Sequence, residues 1–190
     1  MTITTGHTID RCLVVTGMPG AGKSTVTRLL GQRFPRAARF DGDDLNRMLV
    51  NGFVWALGEP ADEAARQVEL CDRNLCSLAT NVAAAGFQPI IDSVIASRRR
   101  VDLMLEQLKP LDVVLVVLAP SIESCRTRNA HRDPRERFDF DGYEDLEVRL
   151  REELGDVAHW LDSTGLTAEH TVDRVIGLFD DAAVRPPGRR

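Results

Sequence analysis

The stretch Gly17-Met18-Pro19-Gly20-Ala21-Gly22-Lys23-Ser24 follows the pattern G-x-x-x-x-G-K-S, and its residue types suit the binding of phosphate. Glycines let the chain curl until successive backbone N–H groups converge into a cradle for phosphate oxygens. A helix starting near Gly22 or Lys23 adds the positive end of its dipole. Lys23 can reach the outer phosphates of a nucleoside triphosphate, and the Ser24 hydroxyl can ligate Mg²⁺. The expected cofactors are therefore ATP and Mg²⁺. Gly17, Pro19, Gly20, Ala21, Gly22, Lys23, Ser24 and Thr25 are the expected nucleotide contacts. The pattern needs a strand before it and a helix after it. Cys12-Leu13-Val14-Val15-Thr16 is an apolar, β-branched run, and Thr25 to Arg33 reads as a helix.

A second group of chemically capable residues is Phe40-Asp41-Gly42-Asp43-Asp44-Leu45-Asn46-Arg47, directly after a short strand, Ala37 to Phe40. Ligands of open α/β sheets gather at the C-terminal ends of the strands, so Asp41 and Asp43 belong to the rim that carries the glycine loop. A carboxylate there can take the proton of an attacking hydroxyl opposite the γ-phosphate. Aspartate is also a good helix N-cap, so one of the three acids is expected only to cap, and the choice of base between Asp41 and Asp43 stays open. Arg47, one helical turn past Asp43, can bind a polar or anionic acceptor. Asp92 ends a further strand, where a carboxylate commonly faces Mg²⁺ through water.

Arg126, Arg128 and Arg132 follow the fourth strand. Arg128 and Arg132 share a helix face. They lead into the polar segment Asp133 to Gly142, which reads as a lid over about residues 132–142. Its arginines would reach the transferring phosphate and the adenine face. Trp55, in the loop from Asn51 to Gly58, either lines the acceptor pocket or packs. Arg73, on a long helix, either contacts the acceptor or is solvated. Arg98-Arg99-Arg100 reads as a solvated helix start and His131 as a surface residue.

The elements that must position these groups alternate in type. Asp44 to Val50 predicts a short helix. Glu59-Pro60-Ala61-Asp62 opens a long one, stopped by Gly86. Phe87 to Asp92 predicts the third strand, Arg98 to Leu108 a helix, and Val113 to Leu118 a fourth strand, apolar without alternation as a sheet covered on both faces requires. Helices follow over Ile122 to Ala130 and Tyr143 to Leu154, then a weak strand from Val157 to Leu161 and a helix from Thr167 to Phe179. One domain over residues 1–180 is expected, with 181–190 a disordered tail. The alternation predicts a parallel sheet with helices on both sides.

The chain has 190 residues and a formal net charge of −5, which suits a small enzyme and offers no broad basic footprint for nucleic acid. The start of the chain lacks the layout of a secretory signal, and no apolar run is long enough to span a bilayer. Cys12, Cys71, Cys76 and Cys125 show no metal-ligand spacing and read as buried thiols of a reducing cytosol. The expected location is cytoplasmic.

In this order the motifs resemble those of the small P-loop kinases, the group with gluconate kinase, adenylylsulfate kinase, chloramphenicol phosphotransferase and the kinase half of polynucleotide 5′-kinases. The loop Gly17 to Ser24, Asp41-Gly42-Asp43, Asp92-Ser93 and Arg128-Asn129-Ala130-His131-Arg132 carry the likeness, and the segment Leu161 to Thr167 also matches. The resemblance implies a three-layer α/β fold, a five-stranded parallel sheet in order 2-3-1-4-5, and ATP-dependent phosphoryl transfer to the hydroxyl of a small molecule such as a sugar, polyol or antibiotic. By the same resemblance Asp43 is the general base, Arg47 a substrate contact, and Arg128 and Arg132, with Lys23, serve catalysis. After the third strand, Asp92-Ser93-Val94-Ile95-Ala96-Ser97 departs from the D-G-F/Y-P-R run of nucleoside-monophosphate kinases, which argues against a mononucleotide acceptor. Two other readings are a polynucleotide 5′-kinase and an ATP-binding switch.

Overall fold

The apolar runs become the strands of one sheet in the computed structural model, which describes residues 9–132 and 140–184. The strands are β1 (Arg11–Gly17), β2 (Ala37–Asp41), β3 (Gln88–Asp92), β4 (Asp112–Leu118) and β5 (His159–Leu161). They pair only in parallel, in the order β2-β3-β1-β4-β5. The helices between them are α1 (Lys23–Gly31), α2 (Gly42–Arg47), α3 (Ala61–Ala84), α4 (Arg98–Gln107), α5 (Ile122–Ala130), α6 (Tyr143–Leu154) and α7 (Ala168–Val184). This is the topology expected from the sequence.

Burial explains why β1, β3 and β4 are apolar without alternation. Leu13, Val15, Ile90, Ile91, Val116 and Val117 are all fully buried, so both faces of the central strands are covered. α1 packs with α7 and α3 with α4, and both pairs lie on the sheet. Right-handed crossovers put the two pairs on opposite faces. α3 buries Cys71, Leu75, Cys76, Ala79 and Ala83, spaced as one stripe of a 3.6-residue helix. Phe34 meets Phe179 edge to face, with ring centroids 5.6 Å apart, and closes the α1–α7 side. The chain passes from β3 across β1 to β4, so the direction of winding reverses beside β1. The rim of β1 is therefore where a sheet of this kind takes its ligand.

Some boundaries differ from expectation, each for a local reason. α2 starts at Gly42 rather than Asp44, because the Asp41 carboxylate accepts the Asp43 amide and caps the helix right at the strand end. β5 starts at His159 rather than Val157, since the amides of Val157 and Ala158 both bond to the Leu154 carbonyl and prolong the turn after α6. α7 runs on to Val184, through residues assigned from the sequence to the tail; Ala182 and its neighbours favour helix. The remaining tail, 185–190, and most of the expected lid, 133–139, lie outside the described residues.

The basic run at the start of α4 is not uniformly solvated. Arg99 is exposed, but Arg100 reaches across to α3 and grips buried Asp72 through two hydrogen bonds of 2.8 Å. It also donates to the Val94 carbonyl at 2.9 Å, which ties α3 and α4 to the segment leaving β3. Removing one partner of such a pair strands the other charge away from water. Arg100→Leu is expected to lower the unfolding free energy by roughly 3–5 kcal/mol, with Asp72→Leu/Arg100→Leu restoring most of it. Urea denaturation of both variants measures this, and a single-variant loss under about 1 kcal/mol would contradict the account.

Candidate active site

The glycine loop is held by close backbone packing. Gly17 has φ +142°, and a Cβ there would lie 2.3 Å from the Leu118 carbonyl oxygen at the end of β4. Gly20 has φ +78°, and its Cβ would lie 2.2 Å from the Cys125 carbonyl oxygen of α5. No side chain fits at either position, so the loop backbone lies directly on its neighbours. The Ala21 amide closes the turn onto the Met18 carbonyl at 3.1 Å. Lys23 opens α1 and is buried; its Nζ donates to the carbonyls of Gly17, at 3.0 Å, and Met18, at 3.1 Å. Burial lowers the Lys23 pKa, opposed by the charges of Asp92 and Asp43 and reinforced by Arg132. The Ser24 hydroxyl has no hydrogen-bond partner among the described residues.

Beside the loop, the ends of β2 and β3 bring two acids together, with Asp41 and Asp92 as register partners. Arg39 stands between them. Its Nη2 donates to Asp92 Oδ2 at 2.7 Å and also to Asp41 Oδ2. The Arg39 Nε donates to Thr27 Oγ1 at 2.7 Å, and the Thr27 hydroxyl donates to Asp92 Oδ2 at 3.0 Å. Asp92 is thus fixed through one oxygen, while Oδ1 carries no hydrogen bond among the described residues. Asp41 Oδ1 accepts the Asp43 amide at 2.9 Å, so Asp41 is the capping acid of the three. Gly42 abuts Ser93, whose Oγ would lie 2.9 Å from an added Cβ, which joins the Asp41-Gly42-Asp43 and Asp92-Ser93 segments in space.

Asp43 presents surface to solvent, yet the surrounding protein withdraws enough water from its carboxyl to raise its pKa, and Asp41 adds to the rise. Lys23 and Arg47 pull in the other direction. Arg47 itself is exposed and bonds Asp44 Oδ1 at 2.7 Å. Trp55 is 41% exposed, and Arg73 stands exposed on α3 with no ion pair among the described residues. Of the expected site residues, Asp41 and Asp92 are joined through Arg39, Asp43 is held by Asp41, and Arg47 turns to Asp44.

On the other side of the loop, Arg128 of α5 lies along the backbone, with Nη1 at 3.3 Å from the Ala21 carbonyl and Nη2 at 3.5 Å from that of Ser163. It helps to line a cavity of about 220 Å³ together with Gly22, Thr25, Ser163, Leu166 and Thr171. The Ser163 hydroxyl is buried and has no hydrogen-bond partner among the described residues. This is a hollow of mixed polarity that opens beside the phosphate loop.

Three of these residues escaped sequence reasoning. Arg39 had a usable signal: two positions before Asp41 on a strand, it must share that acid's face. Thr27 had one too, four positions after Lys23 on the same helix face. Ser163 lies in the segment Leu161 to Thr167 that carries part of the resemblance, but nothing in that segment marks its hydroxyl as buried and without a partner among the described residues. All four cysteines are buried free thiols. Burial raises the pKa of Cys71 to about 11 and of Cys76 to about 12, which leaves no nucleophilic thiolate there. No group of three or more His, Cys, Asp or Glu among the described residues could cage a metal ion, and no described helix is long and apolar enough to cross a membrane.

Comparison with known proteins agrees with this geometry. No curated protein matches the sequence. A sugar kinase from a Janibacter species, in an unliganded structure, shares 18% identity over 90% of this chain and 94% of its own, with a TM-score of 0.65. The APS kinase of Mycobacterium tuberculosis, solved with AMPPNP and APS, shares 20% identity over 90% of this chain and 99% of its own, with a TM-score of 0.60. A gluconokinase from Sinorhizobium meliloti shares 18% identity over 93% of this chain and 95% of its own, also with a TM-score of 0.60. At these identities the likeness is one of fold. The model of a family described as AAA domain matches residues 13–152, from β1 to the end of α6. The chain therefore belongs to the AAA domain family and has the fold of the small P-loop kinases.

Proposed function

We propose that the protein is a phosphotransferase that moves the γ-phosphate of ATP to a hydroxyl of a small molecule. The observation that carries this reading is that the glycine loop with buried Lys23 leaves β1 at the same sheet rim where β2 and β3 end in Asp41 and Asp92, with Asp43 held by Asp41 at the start of α2. A cation fit for the γ-phosphate and a carboxylate fit to take a proton thus follow strands that end at one rim. The kinase fold of the structural neighbours supports the reaction class, and their names, sugar kinase, APS kinase and gluconokinase, support a small acceptor.

In this reading the loop amides and the N-terminus of α1 take the β- and γ-phosphates. Lys23 leaves the carbonyls of Gly17 and Met18 for phosphate oxygens. Arg132 adds positive charge near Lys23, and Arg128 borders the hollow that takes the base, where the Ser163 hydroxyl is available to it. The acceptor oxygen bonds to the γ-phosphorus as the bond from phosphorus to the β–γ bridging oxygen breaks; ADP departs, and the hydroxyl proton passes to Asp43. Asp41 holds Asp43 at the start of α2. Mg²⁺, when bound, offsets phosphate charge and aligns the β- and γ-oxygens. The residues fit such an ion: among the described residues the Ser24 hydroxyl and Asp92 Oδ1 carry no hydrogen bond, so both would be available to hold it while Arg39 and Thr27 fix Asp92 Oδ2. The buried free thiols support a reducing compartment, and we assign the protein to the cytoplasm.

Lys23→Ala is expected to abolish phosphate transfer and to weaken ATP binding in equilibrium titration, because the charge on the outer phosphates is lost. Wild-type turnover in this variant would remove the phosphate-loop reading.

Asp43→Asn keeps the side-chain shape but cannot accept a proton. ATP binding should persist while the transfer rate falls by ~10²–10⁴-fold. The base acts when deprotonated, so wild-type kcat/KM should rise with pH through the Asp43 pKa, which lies above the ordinary aspartate value. The Asn variant should lack that acidic limb. A larger loss in Asp41→Asn than in Asp43→Asn would assign the proton to Asp41 instead.

A further inference from the structure

Five of the ten large apolar side chains that stand exposed among the described residues lie in one short loop between α2 and α3. They are Met48, Val50, Phe53, Trp55 and Leu57, with Val50 at 96%. Residues 48–58 contain no ionisable side chain. Apolar surface gathered this way marks a binding site.

The loop is built rather than slack. Gln67 of α3 accepts the Val54 amide and donates to the Gly52 carbonyl, both at 2.8 Å, and is itself oriented by a 2.8 Å bond to Glu63. The Gly58 amide closes a turn onto the Trp55 carbonyl at 2.8 Å. One helical turn beyond Gln67, the Cys71 thiol contacts the Gly42 carbonyl at 3.6 Å. Four residues of helix advance about 6 Å, so α3 holds residues 52–54 about that far along its axis from Gly42, the neighbour of Asp43. α3 thus anchors both this loop and the first residue of α2, while Phe53 and Trp55 stay exposed.

We propose that this loop is the wall of the acceptor site and that the acceptor is a hydroxyl compound with an apolar, ring-sized body. Its hydroxyl meets Asp43 and its body lies on Phe53 and Trp55. This rests on the kinase reading above. The wall has no charge for a sugar acid, and its only hydrogen-bonding side chains are those of Asn51 and Trp55, so its area favours an apolar body over a bare polyol. A second copy of the chain is a poorer occupant, since a stable protein interface engages roughly 20–30 residues a side.

The test uses radiolabelled ATP and matched pairs of hydroxyl compounds: phenyl glucoside against methyl glucoside, and an aryl propanediol against propanediol. The aryl member of each pair is expected to show kcat/KM ~10–100-fold above its partner, with the advantage lost in Phe53→Ser and Trp55→Ser. ATP titration of both variants verifies that they fold. Equal or better use of the methyl and unsubstituted members overturns the apolar acceptor and leaves the kinase reading standing. Transfer to no compound by wild-type protein that binds ATP overturns the kinase reading and this proposal with it. Self-association seen by sedimentation and abolished by both substitutions gives the loop to a second copy and overturns the proposal.

Discussion

Two backbone carbonyls, of Leu118 and Cys125, occupy the space that side chains at Gly17 and Gly20 would need. This contact ties the phosphate loop to the end of β4 and to α5, so loop and support form one packed unit. Arg128 rides on the same helix and bonds the Ala21 carbonyl, which couples the hollow beside the loop to the loop itself. A larger residue at either glycine would push the loop off its support and shift the base side of the site together with the phosphate side. The buried side chains of β1 and β4 give this arrangement a stiff base, since close-packed interiors yield little.

Charge is organised on that base in a chain of alternating sign. Lys23 lies buried within reach of Asp92 and Asp43; Arg39 joins Asp92 to Asp41; Asp41 holds the Asp43 amide. Each interior charge has a partner, as burial demands. Asp43 is the member whose proton affinity is pushed up while its surface still meets solvent, which is why the proposed reaction gives it the proton. Arg39 acts through others: it bonds both rim acids, Asp41 and Asp92, together with Thr27, and so fixes their orientation.

Much of this was legible in the sequence because it depends on spacing. The strand–loop–helix order around Lys23, the acids at two strand ends and the unbroken apolar runs each have a one-dimensional signature, and the strand order followed from resemblance. What escaped depends on contacts between distant segments. Arg100 reads as surface charge until α3 brings buried Asp72 opposite it. The β5 boundary depended on which carbonyl the amides of Val157 and Ala158 would choose. The segment Leu161 to Thr167 was noticed for its likeness, but its sequence does not show that the Ser163 hydroxyl is buried without a partner among the described residues. Trp55 was open between packing and lining the acceptor pocket, and its 41% exposure is a property that only the folded chain shows.

The central claim, that the Gly17 to Ser24 loop takes nucleotide phosphates, is tested most directly by nuclear magnetic resonance of isotopically labelled protein titrated with AMPPNP and Mg²⁺. The account predicts that the largest amide shifts fall on Gly20, Ala21, Gly22, Lys23 and Ser24, and that the Lys23 side-chain resonance moves as its Nζ exchanges the Gly17 and Met18 carbonyls for phosphate. Shifts confined to other parts of the chain, with the loop amides and Lys23 unmoved at saturation, would contradict it.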